Sequence, residues 1–222
     1  MQDQISVSPL KLFSHQLLAL SRAESRNSYA LFMETGTGKT QVAIGLMRKR
    51  KGAALVVCPL SLIESVWVQE IKKWAPELDP VNLWKIKNKS NLNFVLPNQV
   101  PIINYESVQK LSPEFLARIQ FLVLDESSRI KAPDAQITRF FIGSPSGRGP
   151  SSFADKVPYK LILSGTPAPN TPMEYWSQMR FLDPHVLGDN YYAFKNQYFY
   201  TPFQGSYLWK LRSGSEERLM DL

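Results

Sequence analysis

The stretch Phe32-Met33-Glu34-Thr35-Gly36-Thr37-Gly38-Lys39-Thr40, residues 32–40, decides how the rest of the chain is read. It follows the apolar run "YALFM" and opens the helical pattern "TQVAIGLMRKR", so it joins a predicted strand to a predicted helix. That is the setting of a phosphate-binding loop. Gly36 and Gly38 can take backbone conformations closed to other residues and let the chain approach an anion. The loop amides from Thr35 to Gly38, with the helix N-terminus, aim partial positive charge at phosphates. Lys39 would reach the β- and γ-phosphates of a nucleoside triphosphate, and Thr40 would offer its hydroxyl to Mg²⁺. The general signature carries a glycine five positions before Gly38, where this chain has Met33.

The surroundings fit a globular enzyme. The chain has 222 residues, 44% hydrophobic and 20% charged, enough for one large domain. Its apolar runs, such as "AALVVC" and "FLVL", fall far short of the roughly 20 residues that span a bilayer. The N-terminus lacks a basic segment followed by an apolar core, so no secretory leader is expected. A single cysteine, Cys58, reads as a buried filler in a reducing compartment. The net charge of +7 admits a nucleic acid partner. The basic run Arg48-Lys49-Arg50-Lys51, however, reads as a helix C-terminus whose cations match the dipole.

Strand and helix patterns alternate along the chain. "GAALVVC", "VPIINYES", "FLVLDE" and "YKLILSGTP" are strands, "PVNLW" a further short one, and all are continuous rather than alternating apolar runs. The helix "SLIESVWVQEIKKW" is expected to open on a capping box between Ser61 and Glu64. Its Ile63, Trp67, Ile71 and Trp74 form a core-facing stripe. "LKLFSHQLLALSRAE" places Phe13, Leu17 and Leu20 on one helical face. The stretch 143–156 reads as a mobile insertion, 185–222 as an aromatic-rich extension, and "KIKNKSNLNFVLPNQ" as loop. The fold class that follows is α/β, a mostly parallel central sheet with helices on both faces. In such folds ligands bind beyond the carboxyl ends of the strands.

Two further stretches sit at such ends. In "FLVLDESSRIK", Asp125 ends a buried strand and would hold Mg²⁺ through water, while Glu126 is placed to polarise an attacking water. In "LILSGTPAPN", Ser164, Gly165 and Thr166 leave the sheet at the same edge and can sense the γ-phosphate through the acidic pair.

Taken in order, "HQ", "METGTGKT", "PLSLIESVWVQEIKKW", "INYES", "DESSRIK" and "LSGTPAPN" resemble the motifs of helicase superfamily 2, and in detail its Swi/Snf-type branch, in a compact bacterial or phage-like form. The resemblance covers roughly residues 10 to 185. In that superfamily the position of Met33 is not reserved for glycine, so Met33 narrows the loop to a helicase type. The resemblance implies a RecA-like P-loop NTPase lobe spanning 1–222, ATP and Mg²⁺ at the site, and duplex DNA held by backbone contacts without sequence preference. It gives Gln16 the reading of adenine, with Thr35, Gly36, Thr37, Gly38, Lys39 and Thr40 around the phosphates. Thr40 and Asp125 hold the metal, and Glu126 and Lys39 serve catalysis. Ser164, Gly165 and Thr166 couple ATP to DNA. Pro59, Leu60 and Ser61, with Asn104 and Tyr105, lie along the nucleic acid. Arg129 and Lys131 match family positions, as functional groups or as ion-pair partners.

Two departures stand out. Ser128 occupies the place of a histidine in the family's usual second motif. No second RecA-like lobe, which in the family carries arginine fingers, is expected within these residues, so the chain alone would hydrolyse ATP very slowly. The implied setting is the cytoplasm of a bacterial or phage-infected cell, with no membrane. An RNA helicase lobe and a stand-alone, non-hydrolysing nucleic-acid-binding module are the alternatives. A P-loop kinase or GTPase lacks its own base-recognition and lid motifs here.

Overall fold

The computed structural model describes residues 11–50, 52–89, 92, 96–203 and 208–220. The stretch before residue 11, Lys51 of the basic run, most of 90–95 in the predicted loop, 204–207 in the extension and the last two residues lie outside the described residues.

The apolar runs form six parallel strands: β1 (Ser28–Phe32), β2 (Ala53–Cys58), β3 (Asp79–Asn82), β4 (Gln99–Asn104), β5 (Ile119–Asp125) and β6 (Tyr159–Ser164). Their order across the sheet is β1-β6-β5-β2-β4-β3. The helices are α1 (Ser14–Glu24), α2 (Lys39–Lys49), α3 (Leu60–Leu62), α4 (Gln69–Trp74), α5 (Tyr105–Val108), α6 (Pro113–Leu116), α7 (Gln136–Ile142), α8 (Tyr175–Leu182), α9 (Pro184–Leu187), α10 (Tyr191–Tyr198) and α11 (Ser215–Met220). A short antiparallel pair, β7 (Phe199–Tyr200) and β8 (Lys210–Leu211), lies near the C-terminus.

The strands other than the edge strand β3 are mostly apolar because successive side chains feed two different cores. Leu55, Val57, Leu122, Leu124 and Ile162 enter one layer, with Phe115, Phe141, Trp176, Phe181 and Phe194 from the helices. Ala54, Val56, Cys58, Phe121, Val123 and Leu163 enter the other, with Leu20, Val42, Ile44, Ile63, Trp67 and Ile71. The aromatic-rich extension completes the first core through Phe194 and Phe199, which are fully buried.

Several local expectations need correction. The α1 stripe toward the core is Gln16, Leu20 and Ala23, while Phe13 and Leu17 are exposed. The helix after β2 starts at Leu60 with Pro59 in the cap position, so Ser61 lies inside the first turn and no capping box forms. Proline's fixed φ starts the helix early. Glu64 instead receives Asn82 Nδ2 at 2.7 Å and pairs with Lys85. "YES" turns into α5 rather than extending β4. In 143–156, Ser152, Phe153 and Ala154 are buried, and Asp155 is gripped by Arg180 at 2.8 Å. That stretch is packed against α8 along this part of its length.

Three cations of the basic run, Arg48, Lys49 and Arg50, have partners within the lobe. Arg48 pairs with Glu77 and Lys49 with Glu24. The Arg50 guanidinium donates to Ala23 O and Arg26 O and lies 4.1 Å from the Tyr159 ring centre.

Candidate functional site

The parallel sheet places the ends of β1, β6, β5, β2 and β4 side by side, and every motif except that of Gln16 in α1 follows one of these ends. The order explains why stretches far apart in sequence meet.

The phosphate-type loop leaves β1 and closes at Gly38, which has φ 80° and ψ 33° and caps α2. A Cβ there would lie 2.0 Å from Gln16 Nε2, so glycine is favoured by conformation and any side chain would displace the Gln16 amide. Gly36 also has positive φ, with open space where a Cβ would be. Lys39 Nζ donates to Met33 O at 2.8 Å and Glu34 O at 3.0 Å, and Thr37 Oγ1 donates to Glu34 O at 2.7 Å. The loop is thus shaped by its own side chains.

Gln16 is buried beneath this loop. Its Nε2 donates to Thr37 O and Gln41 Oε1, both at 3.0 Å, and its Oε1 accepts from Phe13 N at 2.9 Å. Both Nε2 protons are engaged, and Oε1 keeps one lone pair beyond the Phe13 amide. Gly165, after β6, sits against the loop: a Cβ there would lie 3.0 Å from Thr35 Oγ1. Ser164 is fully buried, and its Oγ accepts from Thr166 N at 3.1 Å.

Asp125 ends β5 and is buried. Its Oδ2 accepts from Trp67 Nε1 at 2.8 Å and its Oδ1 from Glu126 N at 3.0 Å. Burial pushes its carboxyl above the ordinary carboxylate range. The Trp67 N–H opposes that shift and the Glu126 charge adds to it. Glu126 has φ 53°, the sole positive φ outside glycine among the described residues. Strain of this kind gathers where a side chain must be aimed at a reaction.

Tyr105, expected along the nucleic acid, is turned into the protein. It is buried, and its hydroxyl donates to the Asp125 backbone carbonyl at 2.8 Å. Burial and the Asp125 charge push its phenol well above the ordinary value, so it stays a donor. Asn104 is also buried, with Nδ2 donating to Glu106 Oε2 at 2.6 Å. Leu60 and Ser61 are exposed. Cys58 is buried, and burial together with Asp125 pushes its thiol up, which makes it inert.

Beyond the acid pair, Ser127 Oγ donates to Gln178 Oε1 at 2.6 Å, and Gln178 Nε2 donates to Pro167 O at 2.6 Å. Lys131 Nζ pairs with Glu174 at 3.0 Å, and Asn170 Nδ2 donates to the same carboxylate at 2.8 Å. Burial works against the Glu174 charge, yet Asn170 and Lys131 hold its carboxyl below the ordinary range. Lys131 is therefore an ion-pair partner, Arg129 is exposed and Ser128 half-buried. Trp67, Glu174 and Gln178 escaped the sequence reading as site residues. A signal existed for Gln178, a polar residue three and four positions before Phe181 and Leu182 on the buried face of α8.

The donor set suits Mg²⁺. One carboxylate and one hydroxyl, those of Asp125 and Thr40, would offer it hard oxygens, the ligand type this ion prefers alongside phosphates and water. Among the described residues no group of three or more His, Cys, Asp or Glu could hold a metal by itself. No helix among them is long and apolar enough to cross a membrane.

A parallel sheet with a glycine loop after its edge strand and an acid pair at the end of a central one defines a RecA-like P-loop lobe. The solved structures agree. The SWI2/SNF2 ATPase core of Sulfolobus solfataricus, determined in complex with dsDNA, matches with TM-score 0.66 and 25% identity over 85% of this chain and 39% of that one. The UvsW helicase of bacteriophage T4 shares the fold at TM-score 0.56 and 14% identity, over 78% of this chain and 58% of that one.

The chain belongs to the SNF2-related domain family, whose model matches residues 15–222. Relatives include the human DNA annealing helicase and endonuclease ZRANB3, 28% identical over 80% of this chain and 16% of that protein. The chromatin structure-remodeling complex subunit snf21 of Schizosaccharomyces pombe is 30% identical over 77% of this chain and 14% of that protein. The chain thus spans a small part of the length of these relatives.

Proposed function

We propose that this chain is the nucleotide-binding lobe of an ATP-driven motor that moves on duplex DNA. The observation that carries the reading is the meeting of the Gly36–Thr40 loop, Gly165 and the Asp125–Glu126 pair at one sheet edge. Lys39 and the loop amides bind the triphosphate. Thr40 and Asp125 hold Mg²⁺, which supplies charge neutralisation at the phosphates when bound. Glu126 orients the attacking water and accepts its proton. Ser164 and Thr166 link the nucleotide site to the adjoining surface. Pro59, Leu60 and Ser61 meet a DNA backbone.

The described residues form one six-stranded lobe, and the chain covers 39% of the archaeal ATPase core. Turnover is therefore proposed to need a second lobe bearing arginines, worth roughly 10³ to 10⁵ in rate. A bacterial or phage-borne motor working in the cytoplasm belongs to the same reading, supported by the compact spacing of the motifs. The test is ATP hydrolysis by the two-lobed protein with duplex DNA or duplex RNA added. Strong stimulation by DNA with little by RNA is expected, and the reverse would overturn the DNA assignment.

A further inference from the structure

We propose that Trp67 is a positioning residue for the metal site, holding the Asp125 carboxylate in one orientation through its indole N–H; this rests on the reading of Asp125 as the Mg²⁺ acid. Trp67 is fully buried, and the only hydrogen-bonding atom of its side chain, Nε1, donates to Asp125 Oδ2 at 2.8 Å. Core packing alone would be met by any aromatic ring of similar size. It does not call for a donor aimed at the end of a strand 58 residues away in sequence.

The helix that carries Trp67 supports this assignment. Between α3 and α4 the backbone winds as a π-helical turn, Ile63–Val68, and that turn contains Trp67. Such turns add a residue to the helical circuit and reorient the side chains they carry, often at functional sites. The carboxylate is then held from two sides. Trp67 takes Oδ2, the Glu126 amide takes Oδ1, and Tyr105 fixes the carbonyl of the same residue. Each oxygen keeps a lone pair, but the carboxylate plane cannot turn without breaking a buried bond. A metal held by one acid depends on that fixed plane, because groups that orient a ligand tune its affinity. The same helical segment begins at Leu60, which with Ser61 is exposed and proposed to meet DNA. The bond therefore ties that segment to the acid.

The test compares ADP binding by calorimetry, with Mg²⁺ and in chelator, for the chain and its Trp67→Phe, Asp125→Ala and doubly substituted forms. Trp67→Phe should leave the Mg²⁺-free affinity within about twofold and weaken the gain from Mg²⁺ by roughly tenfold. It should have no further effect once Asp125 is Ala. Equal loss with and without Mg²⁺, or no loss at all, would overturn the positioning role. A Mg²⁺ gain that survives Asp125→Ala would remove the metal reading first, and this proposal with it. If Trp67→Phe does not fold, the indole N–H resonance of Trp67 in the unsubstituted chain decides. It should shift when Mg²⁺ is added to the ADP complex, and a resonance that stays in place contradicts the proposal.

Discussion

Ser127 Oγ donates to Gln178 Oε1 at 2.6 Å with both residues fully buried, which ties the turn after the acid pair to α8. Gln178 in turn donates to Pro167 O, so the stretches after β5 and β6 share one polar link. Replacing Ser127 with Ala leaves a buried acceptor unpaired. The expected loss of stability is about 1–3 kcal/mol, read by urea denaturation. A loss below about 0.5 kcal/mol, the level of an ordinary surface change, would show that the link is not made.

The two loop glycines should respond differently to alanine. Gly36 and Gly38 both have positive φ, but a Cβ meets nothing within 4 Å at Gly36 and meets Gln16 Nε2 at 2.0 Å at Gly38. Gly36→Ala should cost the conformational strain alone, about 1–2 kcal/mol. Gly38→Ala must also displace Gln16 from Thr37 and Gln41, so its loss in thermal stability should be clearly larger. Equal losses would mean that Gln16 does not lie under the loop.

Tyr105→Phe removes the hydroxyl from the Asp125 carbonyl. Stability should fall by about 1–2 kcal/mol, while affinity for duplex DNA stays within about twofold. A large loss of DNA affinity in a stably folded Tyr105→Phe chain would restore the tyrosine as a nucleic-acid contact.

Asp155 gives a pH prediction. Burial opposes its charge, but the Arg180 fork and the Ser152 amide and hydroxyl win, holding it at about 2 against an ordinary 3.8. A depressed carboxyl stabilises the fold above its unfolded value and loses that contribution as pH falls through the folded value. The extra stability should therefore be complete above about pH 4 and fade toward pH 2. Asp155→Asn should flatten the stability profile in that window, as measured by denaturant titration at several pH values. An unchanged slope would place the acid sensitivity elsewhere.

The sheet was legible because its strands are buried on both faces and so read as unbroken apolar runs. The loop 32–40 and the acids Asp125 and Glu126 were legible because their chemistry needs fixed residue types at fixed spacing. What escaped depends on strand order. Trp67 has helical core spacing, and nothing local says that β2 and β5 are neighbours, which is what brings its indole to Asp125. The placement of Tyr105 was hidden for the same reason: it follows β4 at the binding edge, and α5 turns it inward under Asp125. The face that carries Phe13 and Leu17 is not the buried one, because Gln16, not an apolar side chain, faces inward beside Leu20 and Ala23.

Nucleotide binding to the chain, unsubstituted and with Lys39→Ala, tests the central claim most directly. Titration with ADP in the presence of Mg²⁺, monitored by calorimetry, should show binding that weakens at least about a hundredfold on substitution, roughly 2.8 kcal/mol, with the fold intact by circular dichroism. Unchanged affinity in the folded Lys39→Ala chain would contradict the assignment of residues 32–40 as the nucleotide site.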